Sequence, residues 1–256
     1  MPGAPQAFDE DMHIAIVGGK RVRIRLADDL REERSHSVSL SADLYHTFGK
    51  VQTNLLVEGF YTILDDVFAL RDMDDAADGG KVKERYNGSG ATVRGFNVEG
   101  RAAFTRWFEL QAGVTLQQSR YKEPEFWSED AEVPPVRRMF RTPDAYGYFT
   151  ASFKPVRNFT ADLSGTCTGS MLVQHMAGSG VAQDVAVSTP SFFDMNIRLS
   201  YDVRIYKEIT MQLYGGVQNL FNAYQKDFDK GVDRDSGYIY GPSLPRSWFV
   251  GAKFSF

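Results

Sequence analysis

Five aromatic residues stand in polar stretches of the chain: Phe126, Trp127, Tyr224, Tyr238 and Tyr240. Rings held at a surface can stack on flat ligands such as sugars, corrins or catechols, or on one another. They are the candidate binding residues. Residues able to make or break bonds are scattered. His13, His36, His46 and His175 fall at no metal-ligand spacing. Met171, His175 and Met176 could offer soft ligands to heme or copper; the plainer reading makes Met171 a lipid-facing strand residue. Asp74, Asp78 and Gly79 match positions one, five and six of a calcium loop, but Ala76 and Arg85 stand at positions three and twelve, where ligands are needed. His36 and Ser37 are adjacent, so on a strand they face opposite ways and cannot pair as base and nucleophile. Gly88-Ser89-Gly90 and Gly178-Ser179-Gly180 lack the strand–loop–helix context of a phosphate cradle. The residues thus predict no catalytic site, no metal site and no cofactor.

The elements that must carry the aromatics are strands. From Phe193 to Ile205 every odd-numbered residue is apolar and every even-numbered residue polar. Successive strand side chains point to opposite faces, so this segment has one greasy and one wet side. The same period of two runs through Val38–Leu44, Val51–Ile63, Phe96–Phe104, Phe108–Leu116, Phe159–Leu163, Ile209–Val217 and Trp248–Phe256, with an aromatic-rich, weaker ninth at Tyr146–Phe153. The predicted strands run roughly 10 to 14 residues, where soluble strands average about 5 to 6. A tilted strand needs about 9 to 11 residues to cross a bilayer.

The connections alternate as well. Tight turns fall at His46–Lys50, Thr105–Trp107, Lys154–Asn158 and Tyr206–Glu208, and long polar loops at about Arg71–Thr92, Glu123–Ala145, Gln174–Ser191 and Asn222–Pro245. Short turns at one end and long loops at the other is the outer-membrane arrangement, with the turns in the periplasm. Residues 1–35 show little alternation beyond Val22–Leu26 and read as one more outer loop, with at most a small hairpin. Charges on the wet faces, among them Glu58, Glu99, Arg101, Asp162 and Arg198, either line a solute path or pair across strands as ordinary wall residues.

Composition agrees. Lys and Arg number 29 against 33 Asp and Glu, a net charge of −4 that argues against nucleic-acid binding. Aromatics at 13% and 23 glycines favour strands and turns. The single cysteine, Cys167, excludes an internal disulfide. No apolar run reaches the length of a helical membrane span, which leaves membrane β-barrels open. Met1–Pro5 does not begin an export signal.

Against this pattern the tail resembles the C-terminal part of a TonB-dependent outer-membrane receptor. Gly216-Val217-Gln218-Asn219-Leu220-Phe221-Asn222 is similar to the penultimate strand running into Asn-Leu-Phe-Asn, with Tyr224 following. Tyr240-Gly241-Pro242 with Pro245-Arg246 resembles the lead into the last strand, and Phe256 the terminal aromatic. Leu30, Glu33 and Ser35 resemble the start of an upstream barrel strand, with Asp28-Asp29 where Asn-Pro is common. The resemblance implies an all-β, antiparallel transmembrane β-barrel, of which residues 1–256 are the C-terminal portion with about nine or ten strands. The signal peptide, coupling box and plug domain are expected outside it. It implies energy-coupled uptake of a bulky nutrient of the siderophore-iron, cobalamin or heme class. The implied partners are outer-membrane lipid, the TonB protein acting through the plug, the barrel-assembly machinery through Phe256, and a small-molecule or metal-chelate ligand. A passive channel or structural barrel of about ten strands is the alternative, and requires its first and last strands to pair. A soluble β-sandwich is a third reading, and requires a second layer over the greasy faces.

Overall fold

A computed structural model describes residues 16–17, 20–73, 81–128, 130–178, 180–232, 234–242 and 244–255. Among them are sixteen strands and no helix. In chain order the first eight are β1 (Ile16–Val17), β2 (Lys20–Leu26), β3 (Arg34–Phe48), β4 (Val51–Asp65), β5 (Phe68–Met73), β6 (Lys81–Asn87), β7 (Ala91–Phe104) and β8 (Phe108–Glu125). The rest are β9 (Val136–Arg138), β10 (Ala145–Phe153), β11 (Phe159–Thr168), β12 (Leu172–His175), β13 (Val185–Ser188), β14 (Phe192–Tyr206), β15 (Ile209–Gln218) and β16 (Ser247–Ser255).

The nine strands expected from alternation form one antiparallel sheet in the order β16-β15-β14-β11-β10-β8-β7-β4-β3, with β9 attached to β8. Each inner strand is hydrogen-bonded to the one before and the one after it in the wall. The two ends do not meet: β3 pairs with β4, β16 with β15, and among the described residues no pairing joins β3 to β16. The wall is an open sector. The ten-strand closed barrel is not what this chain forms, and the strand Lys20–Leu26 does not join the wall. Instead β2 pairs with β1 as a hairpin and lies parallel to β6, in a small sheet outside the wall.

Among the described residues no second layer covers the greasy stripe. The wall strands contact their hydrogen-bonded neighbours and not another sheet. Leu40 is 82% exposed, Leu199 44% and Val250 89%. A soluble sandwich would bury such residues at about 25 cal/mol per Å²; here they face outward, as a lipid-facing band requires.

On the wet face, side chains pair across strands. Asn97 donates to Glu58 at 3.1 Å and accepts from the Thr115 hydroxyl at 2.8 Å. Gln111 bridges Glu99 at 2.7 Å and the Tyr148 hydroxyl at 3.2 Å. Arg101 Nε donates to Glu109 at 2.7 Å, and the Ser152 hydroxyl to Asp162 at 2.5 Å. Arg198 reaches Gln212 at 3.1 Å, which in turn donates to Asp202 at 2.9 Å. The wall charges are thus largely engaged by cross-strand neighbours, most of them neutral amides and hydroxyls, the plainer of the two readings open at the sequence.

Close packing within the wall comes from rings laid over cross-strand glycines. Gly113 faces Tyr148, Gly165 faces Phe149 and Gly251 faces Tyr214. A Cβ at these glycines would come within 2.7, 2.4 and 2.6 Å of the opposing ring. The ring takes the space the glycine leaves and restores packing on an otherwise bare strand.

The turns and loops follow the expected polarity. Thr105 (φ 58°), Asn158 (φ 73°) and Lys207 (φ 43°) take left-handed conformations in the tight turns, which lets the chain reverse in few residues. The long polar connections carry short strands of their own, which the sequence pattern does not reveal. Segment 66–90 holds the hairpin β5–β6, 126–144 holds β9, and 169–191 holds the hairpin β12–β13. These strands stand clear of lipid, so nothing imposes the long alternation by which wall strands are recognised. The calcium-loop positions Asp74, Ala76, Asp78 and Gly79, together with His13 and Phe256, lie outside the described residues. Arg85 is a buried residue of β6.

Candidate functional site at the outer loops

The outer ends of β8, β11 and β15 feed three loops that are laced together. From the loop at 126–144, the Ser128 hydroxyl donates to Asp184 at 2.7 Å, and Asp130 accepts from Gln183 at 3.1 Å. Arg138 donates to the Ser170 carbonyl at 2.7 Å. Arg141 donates to the carbonyl of Ile239 at 2.9 Å and also to that of Gly237, which ties the first loop to the last. All of these partners lie far apart in sequence, brought together because β8, β10, β11, β14 and β15 are successive strands of one wall.

The joint between 169–191 and 219–246 is built on Tyr238. Its ring lies flat on His175, with centroids 3.7 Å apart and planes 7° apart, and the residue is 3% exposed. His175 Nε2 sits 3.0 Å from both carboxylate oxygens of Asp229. The Tyr238 and Tyr240 hydroxyls both donate to Asp227, at 2.8 and 2.6 Å. Gln225, 1% exposed, donates to the Tyr238 carbonyl at 3.0 Å and accepts from the Tyr240 amide at 2.9 Å. Asp235 accepts from the Met176 amide at 2.8 Å, so a backbone contact reinforces the ring stack.

The five aromatics therefore divide. Tyr238 and Tyr240 come together, edge to face at 5.3 Å, inside the joint. Trp127 is half-buried, its indole N–H donating to the Pro134 carbonyl at 3.2 Å and its ring edge-on to Phe140 at 5.4 Å. Phe126, 74% exposed, and Tyr224, 39% exposed, keep open faces. His175 is committed to Asp229 and Tyr238 rather than presented beside Met171 and Met176, and among the described residues no three His, Cys, Asp or Glu side chains converge as a metal set. The sequence reading missed Asp227, Asp229, Gln225 and Arg141. The one signal for them was the matched spacing of Asp227 with Asp229 and of Tyr238 with Tyr240, two residues in each case.

The joint has a definite response to pH. The bond to His175 holds the Asp229 carboxyl below its usual range. A depressed carboxyl contributes stability above about pH 4, lost only as pH falls through its lower folded value. Burial and then the bond to Asp227 push the Tyr238 phenol up to about 12. A raised phenol contributes stability below about pH 10, lost as pH rises through the folded value. Hydrogen exchange across 225–240, corrected for the intrinsic rate, is therefore expected to quicken as pH falls below about 4 and again as it rises past about 10. Protection left unchanged from about pH 7 down to about pH 3 would contradict this assignment.

The tail motifs acquire physical roles in the same place. Asn219 (φ 49°) and Asn222 (φ 54°) both turn the chain through left-handed conformations. Asn219 Nδ2 donates to the carbonyls of Ala223 and Leu244, at 2.8 and 2.9 Å, and Oδ1 accepts from the Ala223 amide at 2.7 Å. Asn222 Oδ1 accepts from the Arg246 amide at 2.9 Å. The two asparagines pin the start of the last loop to its end. Upstream, Glu33 accepts from the Phe68 amide at 2.6 Å, fixing the first outer loop where β3 begins.

An open antiparallel wall with a lipid-facing stripe, tight turns at one rim and interlocked loops at the other defines a sector of a large membrane β-barrel. The family model described as "TonB dependent receptor-like, beta-barrel" matches residues 4–220, and the chain belongs to that family. Its setting is the cell outer membrane. Among solved structures, it is similar to the ferric-catecholate import receptor Fiu of E. coli, with a TM-score of 0.60 and 18% identity over 88% of this chain and 28% of that one. The ferric enterobactin receptor PfeA of Pseudomonas aeruginosa gives 0.59 and 15% over 90% and 32%, and the copper transporter OprC 0.58 and 15% over 90% and 32%. At such identities the likeness establishes the fold. The chain spans about a third of the length of these receptors. Comparison with curated protein sequences gives no match.

Proposed function

We infer that this chain is the C-terminal sector of the wall of an outer-membrane receptor, and that the whole receptor takes up a bulky nutrient of the siderophore-iron, cobalamin or heme class at the expense of energy delivered through TonB. The open wall carries this reading. Among the described residues the nine strands leave both edges unpaired, which lipid does not tolerate, so the wall is completed by further strands. Barrels of about 22 strands enclose a lumen that is plugged. The proposed partners are the TonB protein, reaching the receptor through a plug domain, the barrel-assembly machinery at the C-terminal strand, and outer-membrane lipid. Phe126 and Tyr224, with open faces on the outer loops, are the proposed ligand contacts. No catalytic step is assigned to the chain. Ser37 hydrogen-bonds Thr62 at 3.0 Å on the wet face, while His36 faces the other way.

The names of the similar structures favour a ferric catecholate as the first cargo to try. Uptake of a radioiron-loaded catecholate siderophore by iron-starved cells is expected to fall to background when the gene is deleted, when the TonB gene is deleted, and when a protonophore is added. Uptake that depends on this gene but persists without TonB would overturn the energy-coupled reading in favour of a passive channel.

A further inference from the structure

The rim opposite the loops carries a charge pattern that the transport reading does not use. The four tight turns hold five cations, Lys50, Arg106, Lys154, Arg157 and Lys207, against one carboxylate, Glu208. The 256-residue chain is net negative, at −4. Three of those cations border one groove of about 810 Å³ between the β7–β8 and β10–β11 turns. The Lys154 amide donates to the Trp107 carbonyl at 2.7 Å and holds the two turns side by side.

Arg106, Lys154 and Arg157 are all exposed, and none makes an ion pair or side-chain hydrogen bond with the described residues. The one carboxylate in the groove, Asp202, is engaged by Gln212 at 2.9 Å. Asn158 and Thr160 also line it. On the lipid side the groove is bounded by apolar surface. Trp107 packs edge-on to Phe153 at 5.7 Å and tilts against Phe108 at 5.9 Å, yet stays 48% exposed, and Val156 is 61% exposed. Aromatic belts mark the level where headgroups meet acyl chains. An anion seated among the three cations would therefore carry an apolar tail running past Trp107 and Val156.

We propose that this groove binds the phosphate-bearing headgroup of an anionic phospholipid in the periplasmic leaflet, with Arg106, Lys154 and Arg157 as the phosphate ligands and Trp107 against the upper acyl chain. Basic pockets at a membrane surface recognise anionic headgroups in this way, and unpaired guanidinium groups suit phosphate geometry. A free phosphate would use the cations but leave the aromatic edge without a role. The proposal rests on the orientation of the wall and not on the identity of the cargo.

The test is native mass spectrometry of the assembled receptor released from detergent, with phosphatidylglycerol or phosphatidylethanolamine added. Phosphatidylglycerol is expected to be retained about tenfold more. The triple variant Arg106→Gln, Lys154→Gln, Arg157→Gln is expected to bring retention down to the phosphatidylethanolamine level, while Lys207→Gln on the next turn leaves it unchanged. Heat-modifiable electrophoretic mobility checks that each variant is folded; if the triple variant fails that check, the comparison is made on the three single variants. Equal retention of the two lipids, retention unaffected by the triple variant, or displacement of the lipid by inorganic phosphate alone would overturn the site. Siderophore uptake that does not depend on this gene, with lipid retention intact, would count against the transport reading and leave this one standing.

Discussion

Leu199→Arg is expected to destabilise the receptor in lipid vesicles by about 2–4 kcal/mol, the cost of an arginine on the lipid face near the bilayer midplane. Leu199 is the middle residue of the fifteen in β14 and is flanked on the same face by Ala161 and Gly215. It has no polar neighbour there to receive a guanidinium. Its sequence neighbour Arg198 is tolerated because it points the other way, with its guanidinium 4.6 Å over the Tyr214 ring and bonded to Gln212. The control is Thr166→Arg, on the wet face opposite Asp194, expected to change stability by less than about 1 kcal/mol in either direction. Urea titration of both variants in vesicles measures the difference. Equal costs would mean that the two faces of the wall see the same solvent, and the membrane assignment would fall with them.

The same contrast of solvents explains what could be read from the sequence. A strand between lipid and a hydrated lumen must alternate over its whole length, and so β14 was legible as a strand, a length and an orientation. The faint strand β10 was blurred because aromatics occupy both its faces: Tyr146 and Tyr148 on the wet side, Phe149 and Phe153 on the other. Beyond the membrane this constraint disappears. β12 and β13 are four residues each and β6 is mostly polar, so none of them has a period to detect. The loop joint was legible only in part. Tyr238 and Tyr240 stood out by type, but nothing local couples His175 to Asp229, which are 54 positions apart. That contact exists because the wall sets the β11–β14 and β15–β16 loops side by side, and wall order is a tertiary fact. Hence the reading of all five aromatics as one class, when two of them are fastenings and two keep open faces.

The second large effect belongs to Asn219. Asn219→Ala removes a side chain that is 3% exposed and satisfies two carbonyls and one amide. Lost hydrogen bonds at a buried site cost about 0.5–1.5 kcal/mol each, more where a partner is left unsatisfied. Alanine must also hold the left-handed conformation that asparagine adopts readily, at about 1 kcal/mol. The sum is about 3–5 kcal/mol. Asn219→Gly separates the two contributions: it relieves the backbone but not the hydrogen bonds, so it should recover about 1 kcal/mol of the loss. Asn219→Asp keeps the acceptor for the Ala223 amide but gives up both donated bonds and sets a carboxylate against two carbonyl oxygens. It is therefore expected to be no better than alanine. The damage should be local. With the link to Leu244 gone, hydrogen exchange is expected to quicken across 219–246 while β7 and β8 keep their protection. If alanine and glycine prove equally costly, the backbone conformation plays no part in the motif. If neither costs more than about 1 kcal/mol, Asn219 is not the fastening that joins the two ends of the last loop.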